Sequence, residues 1–341
     1  MRTKSYKKLM IVPGYACNNR CIFCINYDMR TMPERSTAEL LRRLKKGRAD
    51  GCDYLEFAGG EDAIRKDFCL LVNAARKMGY ERIAVATNGR IFSYPDFAKR
   101  AVESGLTDII FSIHASSEKI HDQLTQVSGC FRQALAGIEN ILALFRSVKN
   151  TTVGTNTAIT KLNYKELPNI GKFILNSLGL CNAEFIFADP SRGGVARHFD
   201  MLMPKISDAA PYMRECLYLG QEHFRRGIVE NLISNWAARY VPLCYFTDFF
   251  PFQISDVREN IVFNHVTHST PEGATPDYLK SRREVSRRKT LRCEACLLRE
   301  DCEGLWHRYL EEFGDSELNP VKDPSIRERK IKYIKDFLSC R

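Results

Sequence analysis

The chain has 341 residues, with 51 lysines and arginines against 41 aspartates and glutamates, which gives a formal net charge of +10. A chain of this length buries a core without disulfide bonds, so its 13 cysteines favour metal ligands or catalytic thiols over a disulfide framework. The start MRTKSYKK is basic and no run of about 18 apolar residues follows anywhere, which excludes a membrane-spanning protein and predicts a cytoplasmic one.

Segments that predict β-strands alternate along the chain with amphipathic segments that predict helices. The strands are predicted at residues 9–14, 53–62, 82–89, 108–115, 151–159 and 183–189, and the helices at 36–47, 67–79, 95–105, 131–147 and 163–179. Ser36 is the predicted N-cap of the first helix, and Gly47 is predicted to end it. Strands and helices that alternate at these lengths predict an α/β fold with a parallel sheet, whose functional residues lie at the carboxyl ends of the strands.

Three cysteines follow the first predicted strand in the segment CNNRCIFC, at Cys17, Cys21 and Cys24. They are open to interpretation as buried thiols or as a zinc site, but structural zinc usually takes four ligands. An odd set of three thiolates suits an iron–sulfur cluster that keeps one iron open. The spacing CxxxCxxC, with an aromatic residue before the third cysteine, resembles the cluster motif of the radical SAM enzymes. This resemblance implies a [4Fe–4S] cluster that binds S-adenosylmethionine (SAM) and a 5′-deoxyadenosyl radical that abstracts hydrogen from a substrate.

Other candidate residues lie at the ends of the later strands. Gly59-Gly60-Glu61 ends the second strand, and its alternative interpretation is a tight turn with a surface acid. It resembles the family's GGE motif, which implies that its backbone and acid hold the amino group of SAM, since glycine admits a close ligand and a carboxylate pairs with an ammonium. The resemblance also implies SAM contacts from Ser112 and Asn156, on the fourth and fifth strands. The alternative for this pair is that interior polar groups satisfy one another.

Further polar residues on the same strands carry weaker signals. The third strand ends at Thr87-Asn88-Gly89, which predicts a turn. His114 is predicted to face the interior of the barrel, where it contacts either the cofactor or the substrate. His121 and Asp122 are predicted to be structural.

A second cysteine set lies near the end of the chain, at Cys293, Cys296 and Cys302. Its spacing CxxCx5C resembles part of the SPASM motif, which binds auxiliary [4Fe–4S] clusters, with Trp306 in the place of the motif's last cysteine. The resemblance implies one auxiliary cluster, as in the shortened twitch domains. We predict Cys244 as the fourth ligand, with Cys340 as the alternative. Zinc held by four thiolates is the other interpretation of this set.

The resemblance extends the fold prediction to the whole chain. We expect a partial (β/α)6 radical SAM barrel at residues 1–190, a linking loop and helix at 191–240, and a small cysteine-rich auxiliary-cluster domain of SPASM/twitch type at 241–341. The polar residues 264–290 are expected to be exposed and mobile.

The predicted function is that of a radical SAM enzyme with two [4Fe–4S] clusters that acts on a small molecule, such as a nucleotide or sugar derivative. Its basic charge favours anionic partners, and no nucleic-acid-binding module is evident. A ribosomal-peptide-modifying enzyme is the alternative. Because the first strand is predicted close to the start of the sequence, we expect no N-terminal peptide-recognition domain, which weakens this alternative without excluding it, since such a domain can sit on a separate chain. From another class, the alternative is a non-enzymatic iron or zinc sensor, which has no need of a GGE motif. The expected reductant is of flavodoxin or ferredoxin type, and the sequence indicates no catalytic side chain.

Overall fold

The computed structural model describes residues 5–225, 236–251 and 253–339 of the chain. Contacts divide the chain into two compact units. The first unit comprises Tyr6–Thr157 and His265–Tyr278, and the second comprises the described parts of Ala158–Asn264 and Leu279–Arg341 with Ser5. The predicted domain limits at residues 190 and 240 stay a prediction.

Strands and helices alternate through most of the described chain. The strands are β1 (Tyr6–Ile11), β2 (Tyr54–Phe57), β3 (Arg82–Thr87), β4 (Asp108–Ser112), β5 (Thr152–Ile159), β6 (Ala183–Phe187), β7 (Ala237–Arg239), β8 (Phe263–Thr270), β9 (Gly273–Thr275), β10 (Arg287–Arg288) and β11 (Leu305–Trp306). The helices are α1 (Thr37–Ala49), α2 (Phe68–Lys77), α3 (Pro95–Ser104), α4 (Glu118–Thr125), α5 (Cys130–Phe145), α6 (Leu167–Lys172), α7 (Gly193–Arg197), α8 (Phe199–Leu202), α9 (Ile206–Arg225), α10 (Ser255–Val262), α11 (Tyr278–Ser281), α12 (His307–Phe313) and α13 (Ser325–Ser339). The predicted α/β class is confirmed.

The first unit is built on a sheet in which β1 to β5 pair in parallel with their neighbours in the chain. Every residue of β2 is buried, as are nearly all those of β3 and β4. Such continuous burial is typical of parallel strands that are covered on both faces. The carboxyl ends of these strands therefore meet at one edge, where the loops that follow them come together.

Helix α1 begins where the sequence predicted, because the Ser36 hydroxyl accepts a hydrogen bond from the Glu39 amide at 3.2 Å. It does not end at Gly47, however, and continues to Ala49. A Cβ atom at Gly47 would lie 2.7 Å from both a methyl group of Leu9 and the hydroxyl of Tyr80. This glycine therefore gives room for packing against the sheet and does not terminate the helix.

The sheet of the first unit also contains a hairpin that the sequence did not predict. Strands β8 and β9 pair antiparallel and extend the sheet beyond β1, in the order β5-β4-β3-β2-β1-β8-β9. Val266 is fully buried, and the Val12 amide donates to the Ser269 carbonyl at 2.8 Å. The Arg35 guanidinium donates to the same carbonyl at 3.1 Å. The expectation of an exposed, mobile segment was wrong here, because backbone hydrogen bonds hold a strand that is poor in apolar side chains.

The second unit has its core around two short pairs of strands. Strands β6 and β7 pair in parallel, and β10 and β11 pair antiparallel with Arg287 opposite Trp306. Trp236 is buried beside Phe185 and donates its indole N–H to the Cys216 carbonyl at 2.7 Å. Helices α6 and α9 pack against each other. No helix in the described part of the chain is long and apolar enough to cross a membrane.

Candidate cofactor and cluster sites

The first cysteine set lies on the loop that follows β1. Cys17, Cys21 and Cys24 are free thiols, each partly buried. The loop rests on the end of α4, since the Arg20 and Ile22 amides donate to carbonyls of that helix at 3.0 Å. The three thiols are therefore held by backbone hydrogen bonds at the carboxyl end of the first strand.

Burial disfavours the thiolate form of Cys17 and Cys21. Burial raises the pKa of Cys17 to about 11. Burial raises the pKa of Cys21 further, and the neighbouring Cys24 and Cys17 add to the shift. The Asn19 amide donates to the Cys17 sulfur at 3.4 Å and offsets part of the penalty. Since thiolates are the form that binds metals, a cationic group is the natural complement of this loop.

The two glycines of the GGE segment are required by the cysteine loop itself. A Cβ atom at Gly60 would lie 2.1 Å from the Ala16 carbonyl oxygen, and one at Gly59 would lie 2.5 Å from the Gly14 carbonyl oxygen. The Gly60 amide donates to Gly14 at 3.0 Å, and the Glu61 amide donates to Ala16 at 2.8 Å. The backbone after β2 thus packs directly on the chain that leads into the cysteines.

The carboxylate of Glu61 links the end of β2 to the end of β3. It is buried and accepts hydrogen bonds from the Thr87 hydroxyl and the Asn88 amide, both at 2.6 Å. Burial raises the pKa of Glu61 to about 7. The predicted contact of this acid with the amino group of SAM stays a prediction, and the hydrogen bonds to Thr87 and Asn88 give the acid a role in fixing the loop after β3.

Asn88 is a site residue whose role the sequence did not reveal. Its side-chain amide donates to the Asn18 side-chain oxygen at 2.6 Å and lies 3.8 Å from the Cys17 sulfur. Arg90 reinforces the same contact by donating to the Asn18 carbonyl and to the Asn19 side chain. The Asn-Gly pair predicted a turn, and nothing in the spacing showed that the turn would face the cysteine loop.

Ser112 and Asn156 lie opposite each other on β4 and β5, and both are partly buried. The Asn156 side-chain oxygen is buried and finds no hydrogen-bond partner among the described residues. An acceptor in that position needs a donor, and this fits a polar ligand at the carboxyl ends of the strands. His114 is also buried and stacks on His121, with 5.5 Å between the ring centroids. Burial lowers the pKa of His114 well below its usual value, so this ring is neutral.

His121 and Asp122 make contacts within the fold, and their predicted structural role stays a prediction. The Asp122 carboxylate accepts from the Gly129 and Phe131 amides at 2.5 and 3.0 Å and so caps α5. The Cys130 sulfur lies 3.4 Å from the His121 ring and 3.2 Å from Asp122. These contacts satisfy the buried polar atoms of the group with one another.

The four cysteines that the sequence assigned to a second cluster lie together in the second unit. They line one pocket: Cys244, Cys293, Cys296 and Cys302. Leucines and prolines form much of the remaining wall. Burial raises the pKa of Cys244 to about 12, and the three other thiols add to this shift. Cys340, the alternative fourth ligand, lies outside the described residues.

Backbone amides point at the sulfurs of this pocket. The Gly304 amide donates to the Cys302 sulfur at 3.4 Å, and the Val321 amide donates to the Cys296 sulfur at 3.3 Å. Hydrogen bonds of this kind are among the interactions that tune iron–sulfur clusters. Trp306 does not take part, since it is fully buried in β11 beside Phe187.

The spacing of the sulfurs in both sets is wider than a single metal ion requires. Sulfurs around one tetrahedral zinc lie about 3.8 Å apart when each Zn–S bond is about 2.3 Å. Within the described residues, the only three donor atoms of Cys, His, Asp or Glu that all lie within 4.8 Å of one another are those of His121, Asp122 and Cys130. Both cysteine sets are therefore more open than a zinc site and have room for a multi-atom cluster.

Residues 11–174 match the family model described as Radical SAM superfamily. A probable GTP 3′,8-cyclase of Saccharolobus solfataricus is 28% identical over 165 residues, which are 46% of this chain and 49% of that protein. A GTP 3′,8-cyclase of Vibrio vulnificus is 29% identical over 160 residues, 45% of this chain and 46% of that protein. The chain thus spans about half the length of the curated relatives it matches.

Solved structures share the fold over a longer part of the chain. Streptococcus suis SuiB bound to S-adenosylmethionine superposes with a TM-score of 0.61 at 15% identity, over 95% of this chain and 78% of SuiB. The protein anSMEcpe with bound AdoMet superposes with a TM-score of 0.62 at 16% identity, over 97% of both chains. A radical SAM domain implies SAM and a [4Fe–4S] cluster as cofactors. As the sequence predicted, the chain carries a domain that matches the radical SAM superfamily, at residues 11–174.

Proposed function

We propose that this protein cleaves SAM reductively and abstracts hydrogen from a small-molecule substrate, a nucleotide or a sugar derivative. When bound, the cluster and SAM supply the electron transfer and the 5′-deoxyadenosyl radical that this reaction needs. The observation that carries the proposal is the hydrogen-bonded frame in which Glu61 and Asn88 fix the loop of the three cysteines.

We assign the SAM-binding cluster to Cys17, Cys21 and Cys24. Three partly buried thiols fit a cationic group, since burial raises the pKa of Cys17 and Cys21, and the spread of the three sulfurs exceeds that of ligands around one ion. Asn19 and Asn88 present N–H groups to the Cys17 sulfur, which stabilises its thiolate. A set of three ligands leaves one iron of a [4Fe–4S] cluster open.

The contacts to SAM itself are assigned to residues at the ends of the parallel strands. Gly59, Gly60 and Glu61 lie beside the cysteine loop, and Ser112 and Asn156 follow on β4 and β5. The Asn156 side-chain oxygen is the acceptor without a partner in the described structure, so it is assigned to a donor group of SAM. The backbone carbonyls of Gly59 and Gly60 lie next to the cysteine loop, so they are assigned as acceptors for the amino group of SAM.

A second [4Fe–4S] cluster is assigned to Cys244, Cys293, Cys296 and Cys302. The four sulfurs share one largely apolar pocket, and those of Cys296 and Cys302 accept backbone N–H donors, which are features of an iron–sulfur site. With four protein ligands this cluster has no open iron. Its role is therefore electron transfer, and a flavodoxin- or ferredoxin-type protein of the reducing cytoplasm is the proposed electron donor.

A nucleotide is the preferred substrate class because the relatives named GTP 3′,8-cyclase match this chain across its radical SAM domain. The net charge of +10 also favours an anionic small molecule. A ribosomal peptide is the alternative substrate class, and a non-enzymatic metal sensor is the alternative from another class.

Anaerobic reconstitution followed by reduction tests the proposal. The reduced wild type should convert SAM to 5′-deoxyadenosine and methionine, measured by liquid chromatography, with or without substrate. Cys21→Ala should abolish both products, whereas Cys181→Ala, at an exposed position on no proposed site, should keep them. A reconstituted, reduced wild type that makes no deoxyadenosine would refute the enzymatic proposal and leave the metal sensor.

A further inference from the structure

Two buried side chains of the second unit carry N–H groups that nothing in the described chain accepts. Arg287 is only 4% exposed, yet its Nε and Nη1 atoms find no hydrogen-bond partner among the described residues. Trp306 is fully buried, and its indole nitrogen is without an acceptor in the same part of the chain. The two residues face each other across the β10–β11 pair, with the guanidinium carbon 3.7 Å from the indole centroid. The orphan donors thus belong to one place in the fold.

The buried acids nearby, which include Asp256 at 3.4 Å from Arg282, pair with arginines other than Arg287. Arg282 forms a two-oxygen ion pair with Glu303, with distances of 2.6 to 3.1 Å, and a bond of 3.0 Å to Glu259. Arg239 pairs with Glu184 at 3.0 Å and with Glu259 at 3.2 Å. Within the described structure Arg287 forms no ion pair with a carboxylate. Its guanidinium instead makes cation–π contacts with the rings of Tyr240 and Trp306. Buried N–H donors in that state are costly unless acceptors complete them.

Aromatic residues around the pair lie at the carboxyl ends of two parallel strands. Tyr240 directly follows β7, and Phe187 is the last residue of β6, so both stand at the carboxyl ends of a parallel pair. The Trp306 ring lies 6.0 Å from Phe187 and 6.2 Å from Tyr240, between centroids. Ligands of parallel α/β sheets bind at this end of the strands. Tyr240 also has a positive φ of 63°, and backbone strain of this kind is concentrated at ligand sites.

We propose that Arg287 and Trp306 bind an oxyanion of the substrate, a phosphate or a carboxylate, and so select anionic small molecules. This rests on the proposed function, which requires a small-molecule substrate. Guanidinium and indole N–H groups only donate, so the ligand atoms must be acceptors, and an oxyanion is the acceptor that a guanidinium binds most strongly. An apolar group would leave these buried donors without acceptors.

Isothermal titration calorimetry on the reconstituted protein tests this, with inorganic pyrophosphate in one arm and succinate in the other. The wild type should bind at least one of them with a millimolar dissociation constant. Arg287→Met should weaken that binding at least about tenfold, since hydrogen bonds to charged groups are lost. Arg292→Gln is the matched control: it removes the same charge from an exposed ion pair with Asp315 and should bind as the wild type does.

Two conservative variants keep the test decisive if Arg287→Met does not fold. Trp306→Phe keeps an aromatic ring but removes the indole N–H, and Arg287→Lys keeps the charge but removes the guanidinium N–H groups. Each should weaken the binding of the preferred anion by about threefold or more. Preference for pyrophosphate identifies a phosphate-bearing substrate, and preference for succinate identifies a carboxylate. Absence of binding at 20 mM, or equal binding by the wild type and all three variants, overturns the inference.

This outcome is separable from that of the proposed function. A wild type that binds the anion through Arg287 but makes no deoxyadenosine contradicts the enzymatic proposal alone. A wild type that cleaves SAM but binds anions independently of Arg287 contradicts this inference alone.

Discussion

Single residues around the first cysteine set act mainly by holding other residues in place. Asn88 illustrates this, because one side-chain amide serves both the Asn18 oxygen and the Cys17 sulfur. Its backbone amide in turn is fixed by Glu61. A metal ligand that is oriented by such a partner loses affinity or activity when the partner is removed, although the partner never touches the metal.

Replacement of Asn88 tests this arrangement. Asn88→Ala should keep the fold but lower SAM cleavage by about 10- to 100-fold, because the cysteine loop loses its lateral support. The measurement is the rate of deoxyadenosine formation, normalised to the iron content of the first cluster. Asn140→Ala is the matched control, since Asn140 also donates two hydrogen bonds in the same unit, to the Phe92 and Ser93 carbonyls. Equal losses in both variants would reduce Asn88 to a general structural role.

The sequence predicted which residue types matter at this site better than it predicted their contacts. CNNRCIFC and Gly59-Gly60-Glu61 were identified from spacing and position, and the structure brings the two segments together. The contact between Glu61 and the turn at Asn88 could not be predicted, because it depends on how three separate strand ends meet. Side chains that act through such long-range neighbours leave no local pattern in the chain.

At the scale of the elements, the sequence predicted those strands and helices whose positions follow from the periodicity of apolar residues. It did not predict features that depend on packing or on backbone hydrogen bonds. Strands β2 to β6 and helices α1, α2, α3 and α5 lie where their apolar patterns indicated. Gly47 was misinterpreted because a helical glycine that admits a neighbour has the same appearance in sequence as one that ends a helix. The β8–β9 hairpin was missed because Arg35 and backbone amides hold it.

Gly60 lies where the end of β2 packs against the cysteine loop. Because glycine has no side chain, the two backbones can approach each other closely there. Gly60→Ala would place a Cβ atom 2.1 Å from the Ala16 carbonyl oxygen, so one of the two backbones must move. We expect a loss of about 1–3 kcal/mol in the free energy of unfolding and a lower yield of the first cluster on reconstitution. The measurements are denaturant unfolding of the metal-free protein and iron analysis after reconstitution.

Gly273→Ala is the control for Gly60→Ala. Gly273 lies in β9 of the same unit, and a Cβ atom there meets nothing within 4 Å. It should change neither the unfolding free energy nor the iron content. If the two alanine variants behave alike, the close approach at Gly60 does not position the cysteine loop.

At the scale of the whole molecule, the chain combines one cysteine set in each of its two compact units. The first set lies in the domain that matches the radical SAM family, and the second lies beyond residue 174. Each set is enclosed by contacts within its own unit. The two sets should therefore bind iron independently of each other.

Iron analysis measures this independence. We expect about eight irons and eight sulfides per wild-type chain, as two [4Fe–4S] clusters. The triple variant Cys17→Ala, Cys21→Ala, Cys24→Ala should retain about four irons, because the second pocket is complete without the first loop. Addition of Cys244→Ala to the triple variant should weaken the remaining cluster or convert it to a smaller one. Addition of Cys340→Ala instead should leave it intact, since Cys244 already shares the pocket with the other three sulfurs.

About four irons in the wild type, with zinc making up the difference, would replace the second cluster by a zinc site. If Cys340 and not Cys244 governs the residual iron, the cluster stands but its fourth ligand is Cys340. If neither change has an effect, the second cluster has three protein ligands and an open iron, and that iron becomes a direct binding point for the substrate.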